Sequence, residues 1–300
     1  MLLEEYPAEW AELTMSENDT FLAVNGFRLF YRSFGNGKNT LLCLHGGPGA
    51  THDYLLPLGG LGGDEIRVIL YDQLGCGKSE RPREKSRYNI EYGVEEVEGV
   101  RQALNLGKIN LFGNSYGGAL ALQYALKYQR NISKLIISSG LASFRETVEE
   151  MMRLRTLLPK EVQDVYAKYE AAEDYQNPEY LKAVEVFYRN FLCRLPEWPE
   201  ELSRTMNGIS TDVYWSMNGP NEFTIIGNLK DWDITARLRE IRAPTLITVG
   251  KYDEVTPKVA ETIHRGIPGS KLIIFENSAH VAMLEERQRY LKTLREFIIN

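Results

Sequence analysis

Ser115 stands in Gly113-Asn114-Ser115-Tyr116-Gly117-Gly118, directly after the apolar run KINLFG and directly before the helix-forming ALALQYALKYQ. A serine on a sharp strand-to-helix turn needs small neighbours because the backbone there is crowded and strained, so this context predicts a nucleophile elbow. A serine hydroxyl is a weak nucleophile at its own pKa, and it needs a base held in place by an acid. Of the four histidines, His45 and His52 precede the serine and His264 sits inside the helical run KVAETIHRGI. His280 follows the strand-like KLIIF by the short loop ENSAH, at the same end of a sheet as Ser115, and is the expected base. Asp253 in TLITVGKYDEVTP lies just past another strand-like run and upstream of His280, which makes it the expected orienting acid. Asp231 and Asp233 precede that strand and fit less well. An oxyanion needs preorganised N–H donors. TLLCLHGGPGA offers a strand followed by unhindered amides, so Gly47 is the expected first donor and the amide of Tyr116 the second.

A second glycine-rich turn, RVILYDQLGCGKSERP at residues 67–82, imitates a phosphate-binding loop. The first glycine of Gly-x-x-x-x-Gly-Lys-Ser would fall at position 72, where the chain has Asp72. The stretch that follows, SERPREKSRYN, has no apolar periodicity with which to open the helix whose amides would face a phosphate. A strand-to-loop turn lined by glycines is the better reading, with Lys78 and Ser79 incidental to catalysis.

Elements must position these groups. TFLAVNGFRLFYRSFGNGK alternates apolar and polar residues around Asn25-Gly26 and predicts a hairpin. TLLCLH, RVILYD, KINLFG, KLIISS, TLITVG and KLIIF are near-continuous apolar runs, as expected of parallel strands buried on both faces. Helical segments such as YGVEEVEGVRQALNL alternate with them, so the fold class is α/β, with a mostly parallel central sheet flanked by helices. Between Gly140 and Pro244 only helical spacing is found, for example Val184, Phe187, Tyr188 and Phe191. The expected organisation is an N-terminal extension (1–18), a catalytic body (19–140 and 236–300) and a helical cap (141–235).

Apolar content of 43% and charged content of 25% over 300 residues are those of an ordinary globular protein. A net charge of −6 with scattered basic residues argues against nucleic acid or an anionic membrane as partner. The N-terminus has two glutamates where a signal peptide needs basic residues, and no apolar run is long enough to span a membrane, so the cytoplasm is the expected location. Cys43, Cys76 and Cys193 are too few and scattered for a disulfide framework or a zinc site. No metal or other cofactor is expected.

Together HGGPG, YDQLGCGKS, GNSYGGALAL, MNGPNEFT, TVGKYDEVTP and the final SAH resemble the α/β-hydrolase fold, and within it the proline iminopeptidases, in particular their archaeal tricorn-interacting type, from about Ser16 to the C-terminus. The resemblance implies a serine aminopeptidase that releases N-terminal residues, preferentially proline, from short peptides through an acyl-enzyme. It implies Ser115, Asp253 and His280 as the triad, and Glu222 and Glu254 as carboxylates holding the substrate's α-amino group. Tyr214 and Gly46 fall at other positions close to the substrate. It also raises functional coupling to a larger, peptide-producing protease. A carboxylesterase or carbon–carbon bond hydrolase of the same fold would need no amine anchor, and a non-catalytic docking protein on this scaffold would turn nothing over.

Overall fold

Asn25 and Gly26, both at positive φ (52° and 85°), make the tight turn between β1 (Asp19–Val24) and β2 (Phe27–Phe34). This is the conformation a two-residue hairpin requires. The structure is a computed structural model and describes residues 19–300; the expected N-terminal extension lies outside the described residues. The hairpin begins an eight-stranded sheet that continues through β3 (Asn39–Leu44), β4 (Ile66–Tyr71), β5 (Ile109–Asn114), β6 (Ile132–Ser138), β7 (Thr245–Gly250) and β8 (Lys271–Phe275). The spatial order is β1-β2-β4-β3-β5-β6-β7-β8. β2 runs antiparallel to β1 and β4, and the pairs from β4-β3 through β7-β8 are parallel.

The apolar runs have no polar alternation because both faces of the sheet are covered. Leu42 and Leu44 of β3 point into one core, Leu41 and Cys43 into the other. α1 (Ile90–Ala103) and α2 (Tyr116–Tyr128) contribute Val97, Leu120 and Tyr124 to the first core. Leu55 and Leu58 of the 53–61 segment fill the second, with Tyr290 and Leu294 near the C-terminus. Five helices, α3 (Phe144–Arg155), α4 (Lys160–Ala171), α5 (Pro178–Phe191), α6 (Glu200–Asn207) and α7 (Thr211–Met217), occupy the interval between β6 and β7. The chain closes with α8 (Pro257–Gly266), the single turn α9 (Ala282–Glu285) and α10 (Arg287–Ile299). No helix among the described residues is long and apolar enough to cross a membrane.

The phosphate-loop lookalike is a structural turn built on Asp72. Its fully buried carboxylate accepts from His52 N and pairs with His52 Nδ1 (2.8 Å each), and it also accepts from Lys78 N (2.9 Å). Burial alone would raise the Asp72 pKa, but the hydrogen bonds and charge of His52 outweigh it and hold the group below its ordinary value. Gly77 must be glycine, because at φ 45° an added Cβ would stand 2.2 Å from Asp72 Oδ2. Ser79 is structural: its hydroxyl donates to Asp72 O (2.5 Å) and accepts from Phe30 N (2.9 Å), tying the turn to β2.

Candidate active site

β5 ends at Asn114 and α2 begins at Tyr116, leaving Ser115 alone at the turn with φ 58° and ψ −125°. Backbone closeness dictates the flanking glycines. A Cβ on Gly113 would lie 2.0 Å from Gly117 O, and one on Gly117 would lie 2.3 Å from Leu44 O. The turn is held from below by Ser115 N donating to Ser138 O (3.0 Å).

The loop after β3 is fastened to this turn. Gly46 N donates to Tyr54 Oη (2.8 Å), whose hydroxyl donates to Asn114 Oδ1 (2.7 Å). The amides of Gly47 and Tyr116 have no acceptor among the described residues, so they remain open to a ligand oxygen while that of Gly46 is engaged. His45 supports the loop from behind: Nε2 accepts from Gln73 N (3.0 Å), so the ring is neutral with its proton on Nδ1, which donates to Gly46 O (3.0 Å). Burial lowers its pKa accordingly. Sequence reasoning did not find Tyr54, Asn114 or Gln73, whose partners are distant along the chain.

Asp253 and His280 come from the loops after β7 and β8. His280 Nδ1 lies 2.7 Å from Asp253 Oδ1, which also accepts from Val255 N (2.8 Å). A carboxylate only accepts, so the imidazole proton sits on Nδ1 and Nε2 is left as the basic nitrogen. Helix α5 fixes both loops through its last carbonyls. Glu254 N donates to Phe191 O and His280 N to Leu192 O (3.0 Å each). From the other side Glu285 accepts from Ala279 N (2.7 Å) and Arg194 N (2.8 Å). Burial opposes a charge on His280, yet the charges of Asp253 and Glu254 prevail and push it up to about 9.

Ser115, His280, Gly46, Gly47, Tyr116, Tyr214, Glu222 and Glu254 line one cavity that is continuous with solvent. No hydrogen bond joins Ser115 Oγ to His280 among the described residues, as is common for catalytic pairs without substrate. Leu141, Met151, Leu202 and Ile225 give the cavity its apolar wall. Its other end is acidic. Glu254 Oε2 is buried there without a partner among the described residues, and the buried Tyr214 hydroxyl faces the Glu222 carboxylate. Burial raises the Glu254 pKa; His280 opposes this, and Glu222 and Asp253 add to it. Burial and the Glu222 carboxylate raise Tyr188 and Tyr214.

The sequence MNGPNEFT makes a fixed loop of the segment carrying Glu222. Asn221 Oδ1 accepts from Phe223 N and Thr224 N (2.9 Å each), and its Nδ2 donates to Tyr180 Oη (2.9 Å). Of the aromatic residues between β6 and β7, Phe144, Tyr188 and Tyr214 line the cavity. Phe191 and Phe223 stack on Phe187 instead, at 4.9 and 4.8 Å, and Trp215 is 49% exposed.

The family model of the α/β-hydrolase fold matches residues 39–287. The proline iminopeptidase of Saccharolobus solfataricus is 53% identical over 277 residues, covering 92% of this chain and 89% of the relative. That of Thermoplasma volcanium is 48% identical and covers 93% of this chain and 96% of its own. Among solved structures, VinJ superposes with a TM-score of 0.90 at 33% identity, covering 95% of this chain and 99% of the other. The proline iminopeptidase of Mycobacterium smegmatis superposes with a TM-score of 0.87 at 30% identity, covering 94% and 97%. This chain belongs to the α/β-hydrolase family and, within it, to the proline iminopeptidases.

Proposed function

We propose that this chain is a serine aminopeptidase that releases the N-terminal residue, preferentially proline, from short peptides, with Ser115, His280 and Asp253 as its triad. The observation that carries the reading is one cavity that holds Ser115 and His280 beside an acidic end formed by Glu222 and Glu254, where Glu254 Oε2 is buried without a partner among the described residues. Buried polar atoms of this kind are costly unless a ligand completes them. The protonated amine of a chain terminus supplies both the charge and the donors. A blocked or internal peptide bond leaves Glu222 and Glu254 desolvated and unpaired, which is the basis of exopeptidase selectivity.

With the amine held there, Ser115 Oγ attacks the carbonyl carbon of the first residue while His280 Nε2 takes its proton, and Asp253 stabilises the imidazolium. The amides of Gly47 and Tyr116 receive the oxyanion. Collapse breaks the C–N bond, and His280 returns the proton to the leaving amine. Water, deprotonated by His280, then attacks the aminoacyl ester on Ser115 and frees the residue. Gly46 admits the substrate close to Ser115, since a Cβ there would lie 2.8 Å from that of Ser115. Residues 141–235 act as the cap that limits peptide length. The reaction takes place in the cytoplasm, downstream of a larger protease that produces the short peptides. Ser115→Ala tests the assignment: hydrolysis of L-prolyl p-nitroanilide should fall by at least ~10⁴-fold, the scale lost when a triad nucleophile is removed, and a variant within tenfold of the parent would refute it.

A further inference from the structure

The proposed amine-binding carboxylate also touches the base. Glu254 Oε1 lies 3.7 Å from His280 Nε2, the nitrogen that must take the Ser115 proton, while Asp253 Oδ1 holds Nδ1 at 2.7 Å. The ring is therefore flanked by a carboxylate at each nitrogen, and both acids are buried. The other groups facing the pair are Glu285 of α9, Glu222 from the loop after α7, Tyr214 of α7 and Tyr188 of α5. No lysine or arginine among the described residues lines the cavity. A cluster of acids around one imidazole favours keeping one proton among them.

We propose that in the substrate-free enzyme a proton is held between His280 Nε2 and Glu254, closing the base to Ser115, and that the substrate's ammonium expels this proton by taking over Glu254. The proposal rests on the reading of Glu222 and Glu254 as the amine anchor and adds a second task to it. The free enzyme carries one proton on the Nε2–Glu254 pair; the ammonium enters with its own charge and binds Glu222 and Glu254; the pair's proton leaves to solvent. Nε2 is then a free lone pair facing the Ser115 hydroxyl. Charge replaces charge, so the acidic end stays compensated throughout. The raised pKa of His280, about 9, belongs to the free state. An opposite charge within about 4–6 Å commands about one to three pH units, so bound substrate should lower it by that amount. Selectivity for a free N-terminus then resides in kcat as well as in binding, because a ligand without the cation meets a blocked base.

The test uses p-nitrophenyl acetate, which has no amine, beside L-prolyl p-nitroanilide, with pyrrolidinium as a separate cation. In the parent enzyme the acid limb of ester kcat/KM should lie about one to three pH units above that of anilide kcat. Glu254→Gln should bring the ester limb down by a similar amount, so that ester hydrolysis at pH 7 rises roughly tenfold or more while anilide hydrolysis falls. Pyrrolidinium should inhibit anilide hydrolysis competitively and accelerate ester hydrolysis by the parent enzyme at pH 7. An ester limb unmoved in a folded Glu254→Gln protein, or competitive inhibition of the anilide with no acceleration of the ester, overturns the proposal. If pyrrolidinium fails to compete with the anilide, the amine-anchor reading falls instead, and the ester limb of Glu254→Gln still decides whether Glu254 holds the base.

Discussion

Single residues in this protein are held at some cost to stability, and Glu96 of α1 is the clearest case outside the proposed catalytic groups. It is 3% exposed, and Oε2 accepts from Leu74 N (3.1 Å), with the buried Tyr71 hydroxyl beside the carboxylate. Burial raises its pKa from 4.5 to about 8. Between those two values the folded protein binds a proton that the unfolded chain has released, so stability falls as pH rises through the window. Glu96→Gln keeps the acceptor and removes the titration. It should melt about 5 °C or more above the parent at pH 9 and within about 2 °C of it at pH 4, as measured by thermal unfolding. Ser115, Asp253 and His280 were legible in the sequence because their order and their places after strand-like runs constrain them. Tyr54 and Asn114 were not, since their hydrogen bond joins positions 60 apart and neither residue type announces it. Ser79 likewise stood out only as part of a lookalike motif, and its bond to Phe30 N required the fold.

At the scale of elements, loops are fixed by groups that helices and turns leave over. The carbonyls at the end of α5 have no intrahelical donor, and the amides of Glu254 and His280 satisfy those of Phe191 and of the capping Leu192, so the same bonds cap a helix and orient the site. Asn221 does comparable work in the loop that carries Glu222. Asn221→Ala removes the acceptor of two amides and the donor to Tyr180, which should cost about 1–3 kcal/mol of stability. It should also raise KM for prolyl anilide roughly tenfold while p-nitrophenyl acetate hydrolysis changes less than about threefold, since the Ser115 turn is untouched. A parallel loss on both substrates would show that Asn221 supports the whole site rather than its acidic end. The strands were readable from their unbroken apolar runs, some with ends displaced by one or two residues: KINLFG is observed as Ile109–Asn114 because pairing with β6 continues to Ser138. The helices between β6 and β7 were readable as helices, but which face each presents to the cavity was not. Tyr188 and Phe191 share an apolar stripe, and only packing sends one to the cavity and the other onto Phe187.

The whole molecule places the loops after the parallel strands at one end of the sheet and the helical insertion beside them, which is where open α/β sheets bind ligands. The cavity between them is apolar along its wall, carries two carboxylates at one end, and has no lysine or arginine among the described residues of its lining. A net charge of −6 does not explain that distribution, because Glu254 is buried and Glu222 half-buried in the cavity rather than spread over the surface. The central claim, that these two cavity carboxylates make a serine hydrolase into an aminopeptidase, is tested most directly by the ratio of kcat/KM for L-prolyl p-nitroanilide to that for its N-acetylated form. The account predicts a ratio of at least ~10³ in the parent enzyme, since a site built around a buried charge rejects a ligand lacking the partner by about that much or more, and a fall of roughly 10²-fold in the ratio for Glu222→Gln. Comparable hydrolysis of the free and acetylated compounds by the parent enzyme would contradict it.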